Sequence, residues 1–498
     1  MKSNMSWGNN KRSQKFIPFK NIAEIPFYYE KLKPDSIAIK YLRNGNWHNK
    51  SWKELCHDIK SLAEKFLSEG ILSYDRVIVK GEASYEWILV DMAIFSIGAV
   101  SIPVKTNVSQ QYIFDLKQIS GASRVIDLST INEDCLDSNV STFQIFNTEL
   151  ASIMFTSGST GKPKGVLRSH KSFIWNISYF HDIGEVVEGD SYYLMLSPNQ
   201  IIARQGLYRA LSWGMIITIP DKIDIDFDIS TFIDMQPTHT SWVPRCMMKV
   251  VKDKGFLSNA GTSKEKLGGN LKHVSYGGAR LPDIINSYLD DGSFQMINGY
   301  GSTECGVVAT QTDELKYDDH CGVPLNGYEL KIVDDELYVK SEGIFDGYLT
   351  DDGVIKKDLD EHGFFPTGDI AEITEKGLKI HGRKDGSFPG NNGVRVFPAF
   401  LESELESQQD IDEAIVVFHE AKIQALIFSK KDTSVEKAIS NANKSLNSWE
   451  HIESYCLVDS PIPESIRKTV GAGKVRVDRE LALEHFKSLT TIKGYIRG

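Results

Sequence analysis

The six cysteines of the 498-residue chain, Cys56, Cys135, Cys246, Cys305, Cys321 and Cys456, are scattered, and no two form a C-x-x-C pair. That spacing excludes a disulfide framework and a zinc knuckle, and it reads as reduced thiols of a cytoplasmic protein. Positive charge is also in short supply. Lys and Arg number 56 against 67 Asp and Glu, a formal net charge of −11 with His neutral. No broad basic face is available to hold nucleic acid or anionic lipid, which favours small-molecule chemistry. Long hydrophobic runs are missing as well. The most apolar stretch, Trp87 to Val104, is interrupted by Asp91 and punctuated by Gly98 and Pro103. It therefore reads as a buried helix followed by a strand, with no membrane span. The opening MKSNMSWGNNKRSQKF lacks the apolar core of a signal peptide, so export is not expected. Internal repeats and low-complexity tracts are absent.

What is present is the balance of a folded chain, with 41% hydrophobic and 25% charged residues. The length suggests about three or four cores. Strand-like runs alternate with helical patterns through most of the first 330 residues: RVIVKG, YEWILVDMAIFSIG and AVSIPV, and later MIITIP before DISTFIDM. Such alternation predicts α/β layers with largely parallel sheets. From about 320 to 383 the pattern changes to short alternating strands, YELKIVDD, ELYVKSEG and GLKIHGR, which predict a small antiparallel β unit. After Asp385 the run GSFPGNNG is the clearest break in regular structure. The expected organisation is a large N-terminal α/β domain over 1–384, in three subdomains that include the small β unit, and a small α+β lid over 385–498. The hinge is expected at Asp385.

The segment FTSGSTGKPKG, Phe155 to Gly165, packs three glycines, four Ser/Thr hydroxyls and two lysines into eleven residues after the apolar lead ASIM. A strand leading into such a loop offers backbone N–H groups, hydroxyls and positive charge to phosphate oxygens. The candidates are Thr156, Ser157, Gly158, Ser159, Thr160, Gly161, Lys162 and Lys164. The Walker pattern G-x-x-x-x-G-K-S/T does not fit, because Lys162 is followed by Pro163. A P-loop phosphotransferase is the poorer reading.

The order T-S-G-S-T-G-K-P-K-G resembles the phosphate loop of the adenylate-forming superfamily, which contains acyl-CoA synthetases, aryl-acid ligases, luciferases and the adenylation domains of peptide synthetases. Further matches follow in the family's order. Tyr276-Gly277-Gly278-Ala279 resembles the adenine-binding turn. Tyr300-Gly301-Ser302-Thr303-Glu304 resembles the Y-G-x-T-E segment, whose aromatic ring stacks on adenine and whose carboxylate holds magnesium. Glu336-Leu337 through Gly347-Tyr348 is similar to the G-E-L…G-Y stretch, with Asp335 in place of its first glycine. Thr367-Gly368-Asp369 resembles T-G-D, whose Asp binds the ribose hydroxyls, and Gly382-Arg383-Lys384-Asp385 resembles the hinge motif G-R-x-D. Gly393 and Arg395 lie in a run similar to the G-x-x-V-x-P-x-E-I-E loop, with one additional residue. RKTVGAGKVRVDREL resembles P-K-T-x-x-G-K-I-x-R, with Arg467 at the proline position, and puts the catalytic lysine at Lys474.

The resemblance implies an ATP-dependent acid–thiol ligase most like an acyl-CoA synthetase, using ATP, Mg²⁺ and coenzyme A, with Thr156 and Glu304 toward the metal. A carboxylate attacking the α-phosphorus meets repulsion between anions, so cations and oriented donors must surround the phosphoryl group. Lys474, the magnesium ion and the Thr156 hydroxyl meet that need. The rival acceptor is the phosphopantetheine of an acyl or peptidyl carrier protein, and a nucleotide-binding pseudoenzyme is the alternative from another class. His170 matches a common family position and reads as structural. Many acyl-CoA synthetases carry P-x-x-H-x-x-G. Here SPNQIIARQG puts Ala203 at the histidine, leaving Gln200, Arg204 or Gln205 as candidates to line the acid pocket. Phe227-Asp228-Ile229-Ser230 spells the amine-binding F-D-x-S of peptide synthetases but falls after the wrong strand, so an α-amino acid substrate is disfavoured.

Overall fold

The β-branched runs RVIVK and VSIPV form neighbouring parallel strands, Arg76–Lys80 and Val100–Val104, and the apolar segment between them is the helix Tyr85–Ser96. Ser84 caps that helix, its hydroxyl accepting from Trp87 N at 3.1 Å. The structure is a computed structural model. It describes residues 19–495 apart from 137–142, 158–162, 179–185, 224–226, 254–255, 257–259, 279–280, 313–318, 351–352, 354, 390–394, 420–421, 430–434, 459–461, 463–465, 471–473 and 489–493. Among the described residues no helix is long and apolar enough to cross a membrane.

Two large sheets organise the first three-quarters of the chain. The seven-stranded sheet runs in the order Ile355–Lys356, Gly347–Leu349, Pro163–Ser169, Leu150–Ser157, Val100–Val104, Arg76–Lys80, Arg124–Asp127. At the centre of the nine-stranded sheet the strands Gln295–Ser302, His273–Gly277, His239–Trp242, Ser191–Tyr193, Ile216–Ile219 and Ile37–Arg43 are parallel in that order, with antiparallel strands at both edges. One core joins Val77, Val79 and Met154 of the first sheet to Ile39, Ile217 and Tyr192 of the second through the helices Trp52–Ser68, Tyr85–Ser96, His170–Ser178 and Ile201–Ser212. Helices therefore fill the space between the sheets, which is the layering that the alternation predicts.

The small β unit is a four-stranded antiparallel sheet ordered Glu329–Val333, Glu336–Lys340, Phe365–Thr374, Gly377–Arg383. Its first hairpin turns on Asp334 and Asp335, both left-handed at φ 49° and 64°. That conformation explains why a glycine suits this place in the motif and why Asp, which tolerates it, can replace one. Gly347–Leu349 does not join this sheet as its position in the chain suggests. It pairs with Pro163–Ser169, where Leu349 is buried against Ile153, Phe155 and Leu167.

Past Arg383 the cores are separate. One gathers Val396, Leu401, Val416 and Ile439, the other Ile415, Leu426, Cys456 and Ala482, and neither contains a described residue before Phe388. The GSFPGNNG run contains more order than its composition predicts, since Phe388–Pro389 pairs with Arg395–Val396 as a short hairpin. The module touches the larger body at the helix Pro244–Lys252. Lys252 Nζ donates to the carbonyls of Glu406 and of Ile411, the latter at 2.9 Å, and Arg245 pairs with Glu413 at 3.4 Å.

Arg204 does not line an acid pocket. It is wholly buried, with Nη2 on Asp91 Oδ1 at 2.5 Å, Nη1 on Ser152 Oγ at 2.7 Å and Nε on Tyr208 Oη at 2.6 Å. Tyr208 in turn donates to the other Asp91 oxygen. The Asp that interrupts the apolar stretch is thus paid for by an arginine 113 residues away. Asp228 of the F-D-x-S string caps the helix Ile229–Met235, accepting from Ser230 N at 2.9 Å, which accords with a chance match. His170 is buried, with Nδ1 accepting from Ile22 N at 3.4 Å and its ring edge-on to Phe95.

Two outcomes follow. Arg204→Met strands the Asp91 carboxylate in an apolar core and should cost about 3–5 kcal/mol, read as a lower denaturant midpoint at unchanged slope. Burial, with Arg204 nearby, lowers the pKa of His170 to about 3; burial lowers His239 to about 4; and His273 is driven well below its ordinary value. The unfolded chain binds these protons near pH 6.5 and the folded chain does not. Stability should therefore fall as pH drops from about 6.5 toward 4, by up to about 1.4 kcal/mol per pH unit for each histidine. Urea midpoints from pH 7 to 4.5 test this, and His170→Phe should flatten the slope.

Candidate active site

The strands Leu150–Ser157 and Pro163–Ser169 pair antiparallel, with Thr156 opposite Lys164 and Ser157 opposite Pro163. The Gly/Ser/Thr run therefore closes a hairpin between two strands, whereas a Walker loop leads into a helix. Gly158, Ser159, Thr160, Gly161, Lys162 and the Ser157 side chain lie outside the described residues.

A second edge is built from parallel strand ends. His273–Gly277 and Gln295–Ser302 run side by side, with Gly277 opposite Gly299. Carboxyl ends of parallel strands are where open α/β sheets bind ligands. The glycines are required by contact: a Cβ on Gly277 would lie 2.4 Å from Gly299 O, and one on Gly301 would lie 2.2 Å from Gly306 O. Gly278 has φ 88° and Ala279 lies outside the described residues. Ser302 Oγ accepts from Cys305 N at 3.1 Å, closing the turn that carries Thr303 and Glu304.

Glu304 is held at both ends. Its carbonyl accepts from Arg168 Nη1 at 3.1 Å and from Phe345 N at 2.6 Å, while its carboxylate Oε1 accepts from Tyr348 Oη at 2.9 Å. Lys164 Nζ sits 5.5 Å from the centroid of the Tyr348 ring. Strand pairing of Tyr348 with Val166 brings this hairpin and Glu304 together.

The third group centres on Asp369. Tyr300 Oη donates to its Oδ2 at 2.5 Å, and Arg383 Nη1 lies 3.5 Å from its Oδ1. Arg383 also donates to Thr367 O at 2.7 Å and to Asp385 Oδ1 at 3.2 Å. Glu336 accepts from Gly368 N and from Lys384 Nζ, each at 2.9 Å. Burial pushes the Asp369 carboxyl up, opposed by the Tyr300 hydrogen bond and by Arg383. Burial and then Asp369 push the Tyr300 phenol well above its ordinary range, and burial and then Glu304 do the same for Tyr348, so both phenols are donors. Burial works against the Arg383 cation, but Asp369 and Asp385 outweigh it and raise its pKa; Glu304 adds to the same effect.

The structure brings Thr156, Lys164, Gly277, Gly278, Tyr300, Gly301, Ser302, Thr303, Glu304, Asp369 and Arg383 onto these three connected edges. Arg395 is exposed on the short hairpin, donating to Ser387 Oγ at 3.3 Å. Lys474 opens the strand Lys474–Val477, but its side chain and Gly393 lie outside the described residues. Ala203 is buried among Tyr193, Met195 and Trp242. Gln205 is buried and donates to Asn176 Oδ1, and Gln200 stands at the start of the helix Ile201–Ser212. Sequence reasoning missed Arg168 and the clasp of Glu336 on Gly368 and Lys384. Glu336 and Lys384 stand inside matched motifs, but nothing in those strings gave either of them a role.

Residues 29–349 match the model of the AMP-binding enzyme family. The long-chain-fatty-acid–CoA ligase FadD15 of Mycobacterium tuberculosis is 25% identical over 488 residues, covering 80% of each chain. The 2-succinylbenzoate–CoA ligase of Escherichia coli K12 is 23% identical over 418 residues, covering 81% of this chain and 84% of the relative. Among solved structures, o-succinylbenzoate CoA synthetase (MenE) from Bacillus subtilis in complex with the acyl-adenylate intermediate OSB-AMP superposes with TM-score 0.74 at 19% identity, covering 91% of this chain and 96% of that one. The ATP-bound RpMatB-BxBclM chimera B1 gives TM-score 0.75 at 21% identity over 95% of this chain and 100% of the chimera. The likeness spans nearly the whole chain and establishes the fold.

Gly301→Ala should force the strands Gln295–Ser302 and Gly306–Thr310 apart at the Glu304 turn, costing about 1–3 kcal/mol. Denaturation reads the stability loss and calorimetry reads the expected weakening of ATP binding. An alanine variant that binds ATP as the parent does would mean that this turn is not at the nucleotide site.

Proposed function

Because this chain belongs to the family of AMP-binding enzymes, we propose that it is an ATP-dependent acid–thiol ligase that adenylates a carboxylic acid and transfers the acyl group to coenzyme A, releasing AMP. The relatives that are CoA ligases support this reading. The observation that carries it is the convergence of Lys164, Glu304, Tyr300, Asp369 and Arg383 beside the phosphate hairpin. All six cysteines are free, which supports work in the reducing cytoplasm.

In the first half-reaction a carboxylate oxygen of the acid attacks the α-phosphorus, the bond to the bridging oxygen breaks, and pyrophosphate leaves with the electron pair. The hairpin, with Thr156 and Lys164, faces the β- and γ-phosphates. The Gly277–Ala279 turn and the Tyr300 ring border the adenine, and Asp369 accepts from the ribose hydroxyls. Magnesium fits the donor set, because among the described residues only one Glu304 carboxylate oxygen is taken, by Tyr348. When bound, it supplies neutralisation of the charge that develops on the departing phosphates. Lys474 adds a cation from the small module. In the second half the thiol sulfur attacks the acyl carbonyl and loses its proton, and the bond to the phosphate oxygen breaks to release AMP.

One module serves both halves by turning about Asp385, between a body of 1–384 and a lid of 385–498. Lys384 is anchored, its N–H donating to Gly368 O at 2.8 Å and its ammonium to Glu336. Rotation at the next residue swings the lid while the nucleotide end stays in place. It would present Lys474 first and the Gly393–Arg395 loop second.

Lys474→Ala should slow acid-dependent pyrophosphate exchange roughly 10²- to 10³-fold and leave thioester formation from supplied acyl-adenylate nearly unchanged. Asp385→Pro should do the reverse by stiffening the joint. Equal slowing of both halves by Lys474→Ala would overturn the two-orientation mechanism. Running the second half with free CoA and with holo carrier protein decides the acceptor.

A further inference from the structure

The middle residue of the strand Gly347–Leu349 touches both the metal-side carboxylate and the phosphate hairpin. Tyr348 Oη donates to Glu304 Oε1 at 2.9 Å, and Lys164 Nζ lies 5.5 Å from the centroid of its ring. The ring is itself fixed. It packs edge-on against Phe345 at 4.7 Å between centroids and tilted against Phe365 at 6.4 Å. Its backbone pairs with Val166 of the hairpin's second strand. The Glu304 main chain is held separately by Arg168 and Phe345, so the phenol governs the carboxylate alone. Among the described residues no other hydrogen bond reaches that carboxylate, so Oε2 has no hydrogen-bond partner among them.

We propose that Tyr348 is a positioning residue. By occupying Oε1 it fixes the rotamer of Glu304 and leaves Oε2 to engage the metal, and its ring seats Lys164 beside the same phosphates. Groups that orient a metal-ligating side chain in this way are worth 10- to 100-fold in metal affinity. The inference rests on the reading of Glu304 as the magnesium-side carboxylate.

Calorimetric titration with ATP at stepped magnesium concentrations tests it on the full chain, comparing the parent with Tyr348→Phe and Glu304→Gln. Tyr348→Phe removes one oxygen and keeps the ring's packing, so denaturation should show a folded chain. The magnesium concentration for half-maximal ATP affinity should rise roughly 10-fold or more. Affinity without magnesium should be unchanged, and saturating magnesium should restore the parent value. A merely structural tyrosine would lower affinity at every magnesium level, and that result would overturn the proposal. So would an unshifted magnesium curve in Tyr348→Phe alongside a shifted one in Glu304→Gln, with the role of Glu304 left standing. An unshifted curve in Glu304→Gln would remove the carboxylate from the metal side, and the positioning role of Tyr348 with it.

Discussion

A single buried ion pair sets the relation between the two large sheets. Arg204 and Asp91 have no exposure, and they join the helices Ile201–Ser212 and Tyr85–Ser96 to Ser101 and Ser152 in adjacent strands. Removing two charges from water is costly, and the cost is offset only while every donor and acceptor keeps its partner. Five side chains therefore specify one packing between the layers, where apolar contacts alone would tolerate small slides. The strand Leu150–Ser157, which carries Ser152, runs five residues further to Ser157, where it pairs with Pro163 of the Gly/Ser/Thr hairpin. The helix with Arg204 packs Gly206 directly over Tyr192 and Ser241 of the other sheet. The two edges of the site are thus referred to the same knot.

Much of this was legible in the chain. The alternation of RVIVK, YEWILVDMAIFS and VSIPV corresponds to strand, helix and strand, because in these segments local pattern and burial agree. Glu304, Asp369 and Arg383 were picked out through the resemblance of short strings to family motifs, and the structure gives two of those strings a left-handed glycine, Gly368 at φ 74° and Gly382 at φ 147°. Other features were hidden for physical reasons. Arg204 belongs to a segment that also bears pocket candidates, and its partner is 113 residues distant, so no local pattern distinguishes a reader of substrate from the mate of a buried acid. The Phe388–Pro389 hairpin escaped because Gly, Pro and Asn mark a turn and a disruption in the same letters.

The site is assembled from stretches that share no element. The hairpin gives Lys164, the nine-stranded sheet gives Glu304 and Tyr300, and the small sheet gives Asp369 and Arg383. Strand pairing of Gly347–Leu349 with the hairpin, away from the sheet its position suggests, ties two of these together. Such an arrangement gives short polar contacts among groups far apart in sequence, and their geometry depends on the packing of three cores.

Arg383 reaches Asp369 with one nitrogen and Asp385 with another, at 3.5 and 3.2 Å. A guanidinium is a rigid plane, so displacement of either carboxylate is felt by the other through one side chain. Coupling free energies are reciprocal: whatever a ligand at Asp369 does to the freedom of Asp385, the setting of Asp385 does to that ligand's affinity. On the proposed reading, with Asp369 at the nucleotide and Asp385 as the joint, sensor and axle share a bolt. If the lid swings there as proposed, communication between occupancy and swing needs no relay through the protein interior, and its strength is set by how one cation divides itself between two anions.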